Sequence, residues 1–340
     1  MGITYTCYDD ISCITAVLGQ GDRCLLLRGD IDGLPIEEKS GEPFASTNGC
    51  AHACGHDLHG TTMLGAAKLL KDHEQDLKCR VKLLWQSGEE TFQGAAAAIR
   101  AGVMENPHVD AAFAMHAFAG FDLGTVMFGQ IPMGAVYGFR ITLTGKGGHG
   151  SQPENCIDPI NAAVQVYLAL QSLIAREVAP LESASLTIGQ LSAGAAANAI
   201  PDTAILQGTL RTFDNDVRAM LIRRIREVSS CVAQTYRCGF ELTVLSDVPS
   251  LTNDAAFSEQ CIASAEKAGV ISCLNRNLKV MGSEDFAFYA QQVPACYLVS
   301  GAGVEDVSLR RGQHNPEIVF NEDALPRNVA AYVQVALDFQ

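Results

Sequence analysis

The sequence predicts an α/β protein in which a mostly parallel sheet is interrupted by a smaller inserted α+β domain. Three observations carry this. Over residues 1–132, apolar runs that read as strands alternate with helix-forming stretches, the pattern of a parallel sheet covered on both faces. Between two Gly/Pro brackets, IPMGA (131–135) and SDVPS (246–250), the order changes to β-α-β-β-α-β. At 340 residues the chain also exceeds what one hydrophobic core usually fills.

The elements follow in order. CLLLRGDID (24–32) is an apolar run that turns acidic, and HGTTMLGAAKLLKDH (59–73) has helical periodicity. VKLLWQSGEE (81–90) again runs from apolar into acidic, TFQGAAAAIRAGV (91–103) reads as a helix, and DAAFAMHA (110–117) as a strand closing on a histidine. In the insert, GFRITLTGK (138–146) is a strand and 158–177 a long helix. SASLTIGQLSAG (183–194) and TAILQGTLRTF (203–213) are strands, 214–237 is a helix begun by an N-capping Asp214, and FELTVLS (240–246) is the last strand. That order is the one of a ferredoxin-like sandwich. A helix, the strand ACYLVSG (295–301) and a terminal helix return to the first domain. The expected division is therefore 1–132 with 247–340, and 133–246.

Lys and Arg number 24 against 38 Asp and Glu, for a net charge of −14. A nucleic-acid surface needs concentrated basic residues, so that class is set aside. Twelve cysteines in a chain of this size, with no C-x-x-C, read as mostly small buried hydrophobes in a reducing cytoplasm. The opening MGITYTCYDD has no signal-peptide pattern, and no apolar run reaches membrane-spanning length.

Chemistry concentrates in HACGHDLHG (52–60), three histidines, a cysteine and an aspartate in nine positions. Cys50, His52, Cys54 and His56 imitate a Cys2His2 zinc set. In an extended segment they would span about 20 Å, too far for one tetrahedral ion unless the loop coils tightly. A redox role for Cys54 lacks a resolving partner. The alternative is that Cys54 and His56 supply two ligands and other strands supply the rest. Asp30, Asp32, Glu89, Glu90 and His116 all fall near predicted strand ends, the edge where open parallel sheets bind ligands, and His314 follows the last strand. Two glutamates ending a strand would point in different directions, so one can hold metal while its neighbour acts as base. GKGGHG (145–150) matches a dinucleotide turn, but no helix begins at once and no acid closes a second strand. Its glycines are read as letting the backbone bend so that His149 projects.

Taken together, LLLRGDIDGLPIEE, HACGHDLHGTTMLGAAKLL, QSGEE, FAMHAF, GKGGHGSQP with DPINAA, NAIPD, GTLRTFD, MGSEDF and HNPE closely resemble the M20 metallopeptidase family, in its amidohydrolase branch. That branch includes hippurate hydrolases, N-acyl-amino-acid amidohydrolases and auxin-conjugate hydrolases. The resemblance implies two divalent ions, Zn or Mn with Co or Ni as further choices, on Cys54 as bridging ligand with His56, Glu90, His116 and His314. It makes Glu89 the catalytic base and Asp32 the acid supporting the metals. It makes His149 a lid-domain residue reaching a partner protomer's site, so a homodimer, and Asn198 and Arg211 substrate-binding residues, the arginine suited to a carboxylate. His52 and His59 would support the ligands or start the helix, and MGSEDF would line the site. The implied reaction is hydrolysis of the amide of a small N-acyl amino acid, with no membrane partner. The alternatives are a dipeptidase or aminoacylase of the same fold, or an N-terminally shortened, inactive metal-binding relative. Relatives carry a helical segment before the first strand, so either the true start lies upstream or a piece covering the first domain is missing and exposed apolar surface needs another cover.

Overall fold

A computed structural model describes the whole chain, residues 1–340. An antiparallel pair, β1 (Tyr5–Tyr8) and β2 (Cys13–Leu18), precedes the strand read from the sequence as the first. Then come β3 (Cys24–Asp30), α1 (His56–Asp72), β4 (Arg80–Gln86), α2 (Gly94–Arg100), β5 (Ala111–Asp122) and β6 (Thr125–Met127). The middle of the chain forms β7 (Ala135–Thr144), β8 (Gly148–His149), α3 (Pro159–Glu177), β9 (Ala184–Ala193), β10 (Ala199–Ile200), β11 (Thr203–Thr212), α4 (Asn215–Thr235) and β12 (Gly239–Val248). Last are α5 (Ala255–Lys267), β13 (Cys273–Asn275), α6 (Ala287–Ala290), β14 (Ala295–Gly303) and α7 (Ala324–Asp338). The chain divides into two compact units, residues 1–132 with 251–279 and 285–340, and residues 133–250 with 280–284.

The first unit holds one sheet in the order β1-β2-β4-β3-β5-β14-β6-β13. Its four central strands, β4, β3, β5 and β14, are parallel, with antiparallel pairing at β1–β2–β4 and at β6–β14. Every residue of β3 is buried, as a strand covered on both faces requires. Leu25 and Leu27 pack with Met63 and Leu70 of α1 and Tyr332 of α7 in one core. Parallel strands bring their carboxyl ends to one edge. β3 pairs with β5 only over Leu25–Arg28 and Ala111–Ala114. From Met115 onward β5 continues past that pairing, which leaves His116 at the site edge although it lies mid-strand. An apolar cavity of about 710 Å³, lined in part by Ile3, Tyr5, Ile14, Leu64 and Trp85, opens beside β1, β2 and α1.

The second unit is an antiparallel sheet in the order β12-β7-β11-β9, the ferredoxin-like arrangement. Burial alternates along β11, so Ala204, Leu206 and Leu210 face Leu170 of α3 and Ile225 of α4 in a separate core. Both long helices start on an aspartate. Asp158 accepts from Ile160 N–H at 2.8 Å, and Asp214 from the N–H groups of Asp216 and Val217, each at 2.8 Å. No helix is long and apolar enough to cross a membrane. All the cysteines are free thiols.

Candidate metal centre

The first unit gathers Cys54, His56, Glu89, Glu90, His116 and His314. α1 begins on Gly55, whose left-handed φ of +89° lets the chain turn sharply between Cys54 and His56. That turn places both side chains in one cluster, which an extended loop would not. Glu89 and Glu90 lie beyond β4, which stops at Gln86, on a turn closed by Phe92 N–H donating to Glu89 O at 2.7 Å. Their divergence therefore comes from a turn and not from strand alternation, a correction to the sequence reading. His314 enters from the loop after β14. Its backbone N–H donates to Ala53 O at 2.7 Å and its φ is +68°, an uncommon conformation for a side-chain-bearing residue.

Two donor groups overlap at the cysteine. Ligand atoms of Cys54, His56 and His116 lie within 4.8 Å of one another, and so do those of Cys54, Glu90 and His314. His56, Glu89 and Glu90 form a further group on the same 4.8 Å criterion. Cys54 Sγ is 3.5 Å from His116 Nε2, and Glu90 Oε1 is 3.3 Å from His314 Nε2. Two donors on one tetrahedral ion stand roughly 3.3–3.8 Å apart when bonds are 2.0–2.3 Å. His56 Nε2 and Glu90 Oε1 are buried without a hydrogen-bond partner and face each other at 3.9 Å. Buried polar atoms are rarely left so, and a cation in each donor group would satisfy them. The donor set fits a pair of divalent ions, which these five residues would hold.

Supporting groups fix these ligands. Asp32 Oδ1 lies 3.3 Å from His56 Nδ1, and Asp32 Oδ2 accepts Glu90 N–H at 2.8 Å. His116 Nδ1 lies 3.0 Å from Ala117 O, which leaves Nε2 to face Cys54. His59 is not in the ligand set, because Ala117 N–H donates to its Nε2 at 2.8 Å while its Nδ1 meets Asp30. His52 rests on Asp32 O at 3.1 Å, and Cys50 is exposed, so the Cys2His2 alternative is not formed.

Burial and neighbouring charges shift the ionisable groups of the cluster. Burial, then Glu90, Glu89 and Asp30, push the Cys54 thiol far above its usual range. Burial pulls His56 down, but Asp30, Asp32 and Glu90 outweigh it and raise it to about 9. Burial and the neighbouring His59 hold His116 well below the usual imidazole range, outweighing Asp30. Burial raises Asp30, yet Arg28, His56 and His59 together hold it well below the carboxylate range.

Sequence reasoning missed what lies behind this cluster. Arg28, only 2% exposed, pairs with Asp30 at 2.6 Å and with Asp285 at 2.9 Å. Asp285 also accepts from Gln86 and, at 2.7 Å, from Ala95 N–H near the start of α2. The MGSEDF motif thus supplies a buried counter-ion. The signal was an arginine in the middle of an apolar strand, which needs an acid from somewhere.

In the second unit His149 and Asn198 come together: β8 pairs Ala199 with His149, and Gly150 N–H donates to Asn198 O at 2.8 Å. Gly147, Gly148 and Gly150 have ordinary φ, but a Cβ on them would come within 2.6 Å of Ile200 O, 2.5 Å of Cys156 Sγ and 3.0 Å of Asn198 O. The glycines serve close approach, not bending as expected. Arg211 lies elsewhere. β11 pairs Thr203 with Thr144 and Thr212 with Ala135, so Arg211 sits at the far end of the sheet, roughly 25 Å from the His149 end at 3.3 Å per residue. It donates to Met281 O at 2.9 Å and lies 3.3 Å from Ser283 Oγ. One chain cannot set Arg211 and Asn198 on the same small carboxylate.

Residues 26–338 match peptidase family M20/M25/M40. The chain belongs to this family. An N-acetyl-L-cysteine deacetylase of Bacillus subtilis is 37% identical over 303 residues, 88% of this chain and 71% of that protein. An IAA-amino acid hydrolase (ILR1-like 4) of Arabidopsis thaliana is 35% identical over 344 residues, 99% of this chain and 78% of the relative. Among solved structures, the B. subtilis YXEP protein, a dinuclear metal-binding M20 peptidase, superposes with a TM-score of 0.82 at 30% identity. That match covers 98% of this chain and 87% of the other. Within the M20 family, two overlapping donor groups are therefore in keeping with a solved dinuclear relative.

Proposed function

We propose that the chain hydrolyses the amide bond of small N-acyl amino acids, using two divalent ions held by Cys54, His56, Glu90, His116 and His314. The observation that carries this is Cys54 shared between two donor groups, beside a buried glutamate, Glu89, that shares a donor group with His56 and Glu90. Divalent ions held there would polarise the substrate carbonyl and lower the pKa of water toward neutrality. Glu89 takes the proton of the attacking water and returns it to the leaving amine. Asp32 holds His56 and the Glu90 backbone in register. Arg211 takes the substrate carboxylate. His149 donates to the carbonyl oxygen as negative charge develops there.

The separation of Arg211 from His149 and Asn198 supports a homodimer in which each site takes Arg211 from one protomer and His149 with Asn198 from its partner. β9 is a sheet edge whose outer side pairs with no strand, and α3 exposes Ile160, Val164, Tyr167 and Leu168 beside it. A thiolate ligand favours zinc, while imidazole and carboxylate also accept manganese, cobalt or nickel. A ligand thiol also suits a reducing compartment, which we take to be the cytoplasm.

The test is turnover by metal-loaded protein on N-acetylcysteine, hippurate, auxin conjugates and dipeptides. Preference for the acyl amino acids is expected. Preference for dipeptides would move the reading to a dipeptidase of the same fold, and no hydrolysis with full metal occupancy would leave an inactive metal-binding relative.

A further inference from the structure

The turn His149–Gln152 is closed by Gln152 N–H donating to His149 O at 2.9 Å. Inside it, Ser151 N–H donates to His149 Nδ1 at 3.2 Å, and Ser151 Oγ lies 2.7 Å from the same nitrogen. A backbone N–H has only one role in a hydrogen bond, so Nδ1 is the acceptor. A proton on Nδ1 would set two N–H groups against each other. The neutral ring must then carry its proton on Nε2, the nitrogen not engaged by this turn.

We propose that Ser151 is a positioning residue that locks His149 in the Nε2–H tautomer, so that the ring is a ready donor to the substrate carbonyl oxygen. This rests on the reading of His149 given above. The serine hydroxyl donates to Nδ1, is held there by the backbone of its own turn, and touches no reacting atom. The turn is itself fixed, because β8 pairs with β10 and Gly150 N–H is committed to Asn198 O. The imidazole thus meets an oxyanion with its donor already chosen. Preorganisation of this kind avoids a rearrangement as charge develops.

Nitrogen NMR of ¹⁵N-histidine-labelled, metal-loaded protein reads the tautomer directly, with His149 assigned by the loss of its signals in H149Q. In the unaltered protein the Nδ1 signal is expected at the unprotonated position and Nε2 at the protonated one. In S151A only the longer backbone donor, at 3.2 Å, remains on Nδ1, so the two should move toward each other, and kcat should fall roughly 2–12-fold, the equivalent of one hydrogen bond, with KM unchanged. S151T should restore both. Unchanged ring signals in S151A would overturn the proposal, as would a shifted tautomer with kcat intact. Full turnover by H149Q would instead sink the role of His149, while the nitrogen signals still reported on the hydrogen bond.

Discussion

Asp32 ties together two of the segments that carry metal-site donors: its Oδ1 lies 3.3 Å from His56 Nδ1 and its Oδ2 accepts the Glu90 N–H at 2.8 Å. One side chain thereby sets the ring of one ligand and the backbone of another. Removing it should loosen both without emptying the core. For Asp32→Ala we expect a loss of about 10–100-fold in metal affinity, the usual effect of deleting a group behind a ligand. Competition against a chromophoric chelator measures it, and unchanged affinity would remove Asp32 from the account.

The metal-free site should be pH-sensitive in a defined direction. Asp30, Asp32 and Glu90 overcome burial and raise His56 to about 9 from 6.5. Between those values the folded metal-free chain holds a proton that the unfolded chain has released. Its stabilising contribution is therefore complete below about 6.5 and is lost as pH rises through about 9. With ions bound, the His56 lone pair is engaged and this dependence should vanish. Urea unfolding with and without chelator across that window checks it; identical slopes in the two forms would contradict it.

The buried pair Arg28–Asp285 yields a stability prediction that does not depend on metal. Asp285→Ala leaves the Arg28 guanidinium half-paired and Ala95 N–H without its acceptor. Breaking one partner of a buried pair costs about 3–5 kcal/mol. Denaturant unfolding of the metal-free variant should show such a loss, and a change below about 1 kcal/mol, the range of an exposed pair, would mean that the pair is not the anchor described.

Much of the fold was legible because it rests on local patterns. Asp214 announces its helix, and TAILQGTLRTF reads as a strand. The site was legible in its residue types and less so in its geometry. His116 read as a strand end but lies mid-strand, because its exposure to the site depends on how far a neighbouring strand extends. Glu89 and Glu90 read as the end of an apolar run and lie on a turn, since only tertiary pairing decides where a strand stops. Arg28 and Asp285 are far apart in the chain, and no periodicity links a buried charge to its partner. β1 was missed because it is short and exposed, and β2, though apolar, joins the sheet only through its antiparallel pairing with β4, which no local pattern announces.

The separation of Arg211 from the sheet end that leads to His149 predicts complementation. R211A and H149A should each be inactive. Mixed under subunit exchange, a homodimer that builds each site from both protomers gives hybrids with one intact site of two, and about a quarter of the activity should return. Sites built within one chain would recover nothing.

We propose that Cys54 belongs to the donor sets of both cations. Anomalous diffraction from metal-loaded crystals measures this most directly. Two peaks are expected, each about 2.3–2.5 Å from Cys54 Sγ, one beside His56 and His116 and the other beside Glu90 and His314. A single peak, or two peaks with the sulfur bonded to neither, would contradict the account.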